Sequence, residues 1–200
     1  AWAKTYEVGV VSDLAYGALG YQGYENPSFL STPGAKDVGV EFYTFSKTFN
    51  MAGWRLAFAA GNDQMIEALN LIQDHLFVGI FPALQEAGIA ALLNPNSEEA
   101  VAQLNATYDS RRDAFVQAAA KIGWQAFPSR GSFYAWMPVP EGDTSESFAD
   151  LLLEKVHVAV APGKGFGPAG NAYVRIGLLV EPERLVEAVD RIANLQLFNN

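Results

Sequence analysis

In the stretch TFSKTFNMAGWR, Thr44 to Arg55, one amine, Lys47, stands between two hydroxyl residues, Ser46 and Thr48, behind an apolar run and ahead of a glycine and an arginine. A lysine at the end of a buried strand is costly unless it is neutral, paired or covalently occupied. Desolvated and held in place, a lysine amine is a nucleophile able to form a Schiff base with a carbonyl compound. Thr44, Ser46 and Arg55 add two hydroxyls and a guanidinium, a set suited to a phosphate dianion, and Asn50 to Gly53 reads as a turn that returns Arg55 towards the strand end. Asp13 closes the apolar run EVGVVSD, where a carboxylate can pair with a protonated ring nitrogen. Tyr16, three residues on, can bring a phenol to the same spot. Each residue taken singly has a plainer reading: lysines are mostly solvated, aspartates cap helices and loops, and tyrosines pack as amphipathic rings.

The elements needed to hold these groups are legible in the hydropathy pattern. EVGVVSD, VGVEFYTFS and RLAFAAG read as three parallel strands buried on both faces, with Asp13 and Lys47 at the carboxyl ends of the first two. Open α/β sheets place ligands at that end. Ala1 to Glu7 reads as the end of a helix, Asn62 as the cap of a helix beginning at Asp63, and Pro82 as the start of another. A longer helix opens at Ser97, acidic in its early turns and basic later, and ends at Gly123. After it the texture changes to strand (GSFYAWMPV), helix (Thr144 to Val156), strand (VHVAVAP), strand (NAYVRIGLLV) and a last helix from Pro182 to Leu197. Phe133, Tyr134 and Trp136 fall in the first of these strands and read as core packing, and GKGFGPAG as the turn before the strand that holds Arg175. His75 reads as a packed or capping residue on its helix, and His157 as the opening of a strand.

Composition narrows the function classes. The net charge is -9, with thirteen basic residues scattered along the chain, which argues against a nucleic-acid partner. No apolar run is long enough for a membrane span, and the first residues do not read as a basic stretch followed by an apolar one. The absence of cysteine removes disulfides, thiolate nucleophiles and thiolate metal sites, and fits a cytoplasmic setting. Two histidines far apart in sequence do not suggest a metal centre.

SDLAYGAL followed by TFSKTFNMAGWR resembles the paired signature of the fold-type I, class I/II aminotransferases that use pyridoxal 5'-phosphate (PLP), an Asp-x-x-Tyr and then a Ser/Thr-x-x-Lys with an Arg after seven further residues. GSFYAWMP and APGKGFGPAGNAYVRIGLL resemble the C-terminal domain of the same family, so the likeness runs through essentially all 200 residues. The resemblance implies an α/β fold: residues 1–123 as the C-terminal part of the PLP-binding large domain, a mixed sheet with flanking helices, and residues 124–200 as a small α+β C-terminal domain. It implies that Lys47 forms the Schiff base and shuttles the proton of the substrate Cα, that Asp13 pairs with the pyridinium nitrogen, and that Tyr16 hydrogen-bonds the 3'-oxygen. Thr44 and Arg55, helped by Ser46, would bind the phosphate, and Arg175 the substrate α-carboxylate.

The family's N-terminal half, with its glycine-containing phosphate loop, its ring-stacking aromatic and an Asn near the 3'-oxygen, has no counterpart here, so the chain is expected to be the C-terminal portion of a longer enzyme. Family members are homodimers, which would set Gly79 to Pro82 towards a partner's site. The spacing is closest to the subgroup with diaminopimelate-type and methionine-salvage aminotransferases, without fixing the substrate. The activity implied is exchange of an amino group between an amino acid and a 2-oxo acid. Two alternatives stay open at this point, a PLP-dependent carbon-sulfur lyase and a non-catalytic truncated fragment.

Overall fold

A computed structural model describes residues 1–198 of the chain. It divides into two compact units, Ala1–Leu104 and Asn105–Asn200. The division falls inside one long helix.

In the first unit a short helix, α1 (Trp2–Thr5), leads into strand β1 (Val10–Asp13). β2 (Gly39–Thr44) pairs with it in parallel, and β3 (Ala57–Gly61) returns antiparallel to β2, so the three-stranded sheet, in the order β1-β2-β3, is mixed. A one-turn helix, α2 (Phe45–Thr48), and a 3-10 turn (Ala52–Trp54) make the β2–β3 connection. Helices α3 (Asp63–Ile72), α4 (Pro82–Leu93) and α5 (Ser97–Lys121) follow. Asn62 caps α3, its Oδ1 accepting from the Met65 N–H at 3.1 Å. Gly88 lets α4 approach the β2–β3 layer: a Cβ there would stand 2.8 Å from Leu56 and 3.3 Å from Phe45, both buried.

Three strand expectations change. β3 is neither parallel nor buried on both faces: it runs antiparallel to β2 and is mostly exposed, Phe58 by 43%. β1 is not buried on both faces; it lies at the edge of the sheet, its residues alternate between half-buried and exposed, and Val11 is 65% exposed. Lys47 is not at the end of a strand either. The chain leaves the sheet at Thr44, and Lys47 sits in the first turn of α2.

The second unit orders β4 (Tyr134–Pro138), α6 (Ser145–Val156), β5 (Ala161–Pro162), β6 (Tyr173–Gly177) and α7 (Pro182–Ala193), the αβ alternation read from the sequence. Its sheet is antiparallel in the order β4-β6-β5. A capping box starts α6: Thr144 Oγ1 accepts from the Ser147 N–H at 3.1 Å, and Ser147 Oγ accepts from the Thr144 N–H at 2.9 Å. VHVAVAP pairs only at Ala161 and Pro162. His157 does not open a strand; with φ 55° it is the left-handed C-cap of α6. The core gathers Phe115, Trp124, Met137, Phe148, Leu152 and Val174, and the fully buried Trp124 ring donates its Nε1–H to Pro138 O at 2.7 Å. Along β4 the alternation separates two roles: Ala135 and Met137 are buried while Tyr134 and Trp136 are only half-buried, so these two are not core residues.

Candidate active site

The parallel pairing of β1 and β2 sets Asp13 opposite Phe42, and the Leu14 N–H continues the ladder to Phe42 O at 2.9 Å. Parallel neighbours end on the same edge of a sheet. Asp13 at the end of β1 and the segment from Thr44 at the end of β2 therefore share the carboxyl edge.

Thr44 is the hinge of that edge. Its Oγ1 caps α2 by accepting from the Ser46 N–H at 3.2 Å and donates to Ser46 Oγ at 3.0 Å. Within α2, Phe45, Ser46 and Thr48 are buried, and Thr48 Oγ1 lies 2.7 Å from the Tyr43 hydroxyl. Lys47 is the half-buried member of the turn, its Nζ 6.0 Å from the centre of the Tyr16 ring. The chain then turns back: the Phe45 N–H donates to Leu56 O at 3.2 Å, and Thr44 Oγ1 reaches the same carbonyl at 3.4 Å. This places Arg55 next in sequence to a residue bonded to both Thr44 and Phe45. Its backbone is left-handed, φ 52° and ψ 46°, and its Nη1 donates to Ala52 O at 2.9 Å.

Two residues not singled out in the sequence fix the loop that carries Tyr16. Asn26 Nδ2 donates to the carbonyls of Tyr16 at 3.1 Å, Gly17 at 3.3 Å and Leu19 at 3.1 Å. Glu41, only 7% exposed, accepts from Ser12 Oγ at 3.0 Å, Ser28 Oγ at 2.5 Å and the Phe29 N–H at 2.6 Å. Its carboxylate ties β1, just before Asp13, to the far end of the same loop. A glutamate in the apolar run VGVEFY was the available signal, since a buried carboxylate must find donors.

Arg175 belongs to the second unit. It lies mid-strand in β6, between Trp136 of β4 and Ala161 of β5. The Tyr134 ring centre is 4.1 Å from its guanidinium carbon and the Phe166 ring centre 4.2 Å.

The donor chemistry in the first unit fits a phosphorylated pyridine aldehyde. Hydroxyls of Thr44 and Ser46 and the Arg55 guanidinium are what a phosphate dianion takes, Asp13 is an acceptor for a protonated ring nitrogen, and the Lys47 amine stands beside a phenol.

Residues 1–192 match the family described as aminotransferase class I and II. The chain is 58% identical over 189 residues to the L-glutamine–4-(methylsulfanyl)-2-oxobutanoate aminotransferase of Bacillus subtilis, covering 94% of this chain and 47% of that protein. It is 45% identical over 191 residues to the LL-diaminopimelate aminotransferase of Moorella thermoacetica, covering 96% and 48%. The solved apo structure of BacF from Bacillus subtilis superposes with a TM-score of 0.93 at 44% identity, over 100% of this chain and 51% of that one. The chain thus spans about half the length of the curated relatives it matches. It belongs to the class I and II aminotransferase family.

Proposed function

We propose that this chain supplies cofactor- and substrate-holding residues of a PLP-dependent aminotransferase that moves an amino group between an amino acid and a 2-oxo acid. The observation that carries the reading is the shared carboxyl edge of β1 and β2, where Asp13 ends one strand and Thr44 leads into the turn that sets Lys47 against Tyr16. In this reading residues 1–123 belong to the cofactor-binding large domain and residues 124–200 form the small domain. Kinship with an enzyme named for a methylsulfanyl oxo acid supports a substrate with an apolar thioether side chain.

When bound, PLP supplies an electron sink that makes the substrate Cα–H acidic. The chain's own residues do the rest. Lys47 holds the cofactor through its amine and moves the proton at the substrate Cα. Asp13 keeps a proton on the ring nitrogen, and Tyr16 donates a hydrogen bond to the 3'-oxygen. Thr44, Ser46 and Arg55 bind the phosphate. Arg175 binds the substrate α-carboxylate with paired N–H donors. The active form is a cytoplasmic homodimer.

Borohydride reduction of the full-length protein mixed with PLP, followed by peptide mapping, tests the assignment. Near-stoichiometric label on Lys47 alone is expected. Label spread over several lysines would remove Lys47 from its role.

A further inference from the structure

We propose that Tyr134 and Phe166 are positioning residues that make Arg175 an in-plane receptor for a carboxylate, with the turn GKGFGPAG holding Phe166 in place. The inference rests on the reading of Arg175 as the group that binds the substrate carboxylate.

The two rings come from different elements, β4 and the 3-10 turn Gly163–Phe166, and both approach the same guanidinium carbon, at 4.1 and 4.2 Å. A guanidinium flanked by aromatic rings is attracted to their faces and loses water from its own. What stays open to a ligand is its edge, where the N–H groups lie in one plane and match the two oxygens of a carboxylate. Among the described residues no hydrogen bond or ion pair joins that edge to a protein acceptor. Beside it lies an open depression of ≈ 250 Å³ lined by Tyr134, Ala159, Val160, Ala161, Arg175 and Gly177, which holds no charge other than the guanidinium. The side chain is therefore ordered before a ligand arrives, which lowers the cost of binding one.

Phe166 is 54% exposed, so burial does not hold it. The backbone beneath it does. A Cβ on Gly163 would fall 2.3 Å from Gly170 O, and one on Gly170 would fall 2.1 Å from Gly163 O, so only glycine at both positions lets the two turns around Phe166 touch. The Lys164 N–H donates to the fully buried Ser145 Oγ at 3.2 Å, and the Phe166 ring meets Trp136 edge-on at 5.9 Å. The glycine-rich stretch, which lacks nucleotide-loop spacing, thus has a physical task.

The test compares two ligands in the full-length, PLP-loaded protein: L-methionine and 3-(methylsulfanyl)propan-1-amine, the same molecule without its carboxylate. Phe166→Leu keeps an apolar side chain and removes the π face. It should weaken L-methionine binding, measured by equilibrium titration, about three- to thirtyfold. Binding of the amine should not change, the kinetic loss should fall in KM rather than kcat, and Phe166→Trp should restore affinity. Tyr134→Leu should act in the same direction. If Phe166→Leu leaves L-methionine affinity intact, or weakens both ligands equally, the proposal is overturned. Arg175→Lys separates the two levels. If it abolishes the preference for L-methionine while both leucine variants keep it, Arg175 binds the carboxylate and only the role of the rings fails. If Arg175→Lys keeps the preference, the carboxylate reading fails and the proposal falls with it.

Discussion

Arg55 holds a left-handed backbone conformation that costs a non-glycine residue on the order of 1 kcal/mol. A guanidinium held there at such a cost fits a binding role rather than a packing one, since the residue is exposed and, among the described residues, its Nη1 bonds locally, to Ala52 O. The two effects can be separated by one substitution. Arg55→Gly should leave the melting temperature unchanged or higher, because glycine adopts this conformation freely, while PLP affinity falls by about tenfold or more through loss of charge-assisted hydrogen bonds. Calorimetry and a cofactor titration read the two separately. Lys47→Ala should lower the transamination rate of the full-length enzyme by at least about 10²- to 10⁴-fold, the range for loss of a positioned proton-transfer group. Single-turnover kinetics measure it, and full activity in that variant would refute the role. Asp13→Ala should keep PLP bound and lose rate, since the carboxylate acts on the ring nitrogen and not on attachment.

At the scale of elements, the loop between β1 and β2 is held by side chains more than by regular structure. Glu41 and Asn26 close it from two sides. Glu41→Ala strands the half-buried donors of Ser12, Ser28 and Phe29, and should cost about 1 kcal/mol or more, read as a lower denaturant midpoint at unchanged slope. Cofactor affinity should fall with it, as Ser12 precedes Asp13 and the same loop carries Tyr16. Thr144→Ala provides the contrast. It removes the capping box of α6, far along the chain in the second unit, and should cost about 1 kcal/mol of stability without altering cofactor affinity.

At the scale of the whole molecule, charge and exposed apolar surface make separate predictions. The Lys4 ammonium, 2.5 Å from Asp37 and hydrogen-bonded to it, holds that carboxyl below its usual value of 3.8 and tethers α1 to the turn before β2. A depressed aspartate adds stability that is fully present above its unfolded value and is lost as pH falls through its folded one. The difference between the parent protein and Asp37→Asn, followed by thermal melts, should therefore be constant at neutral pH and shrink progressively once the pH falls below about 4. Leu76, Phe77, Val78 and Phe81 are exposed by 71%, 66%, 89% and 68%, a run of apolar surface that supports the homodimer proposed above. Phe81→Asp should shift the full-length enzyme towards monomer in light scattering.

The sequence alone determined the class of fold and most of the order of elements, because these depend on local periodicity, a cap such as Asn62, and one motif of fixed spacing. It did not determine that β1 is an edge strand or that β3 runs antiparallel, since apolar runs look alike whatever their neighbours. Nor could it separate Tyr134 from the core residues beside it, or show Asn26 and Glu41 at work. Those roles depend on partners far away in sequence, Phe166 and Arg175 for the tyrosine, Tyr16 for the asparagine, Ser12 and Ser28 for the glutamate, and only the folded chain brings such partners within bonding distance.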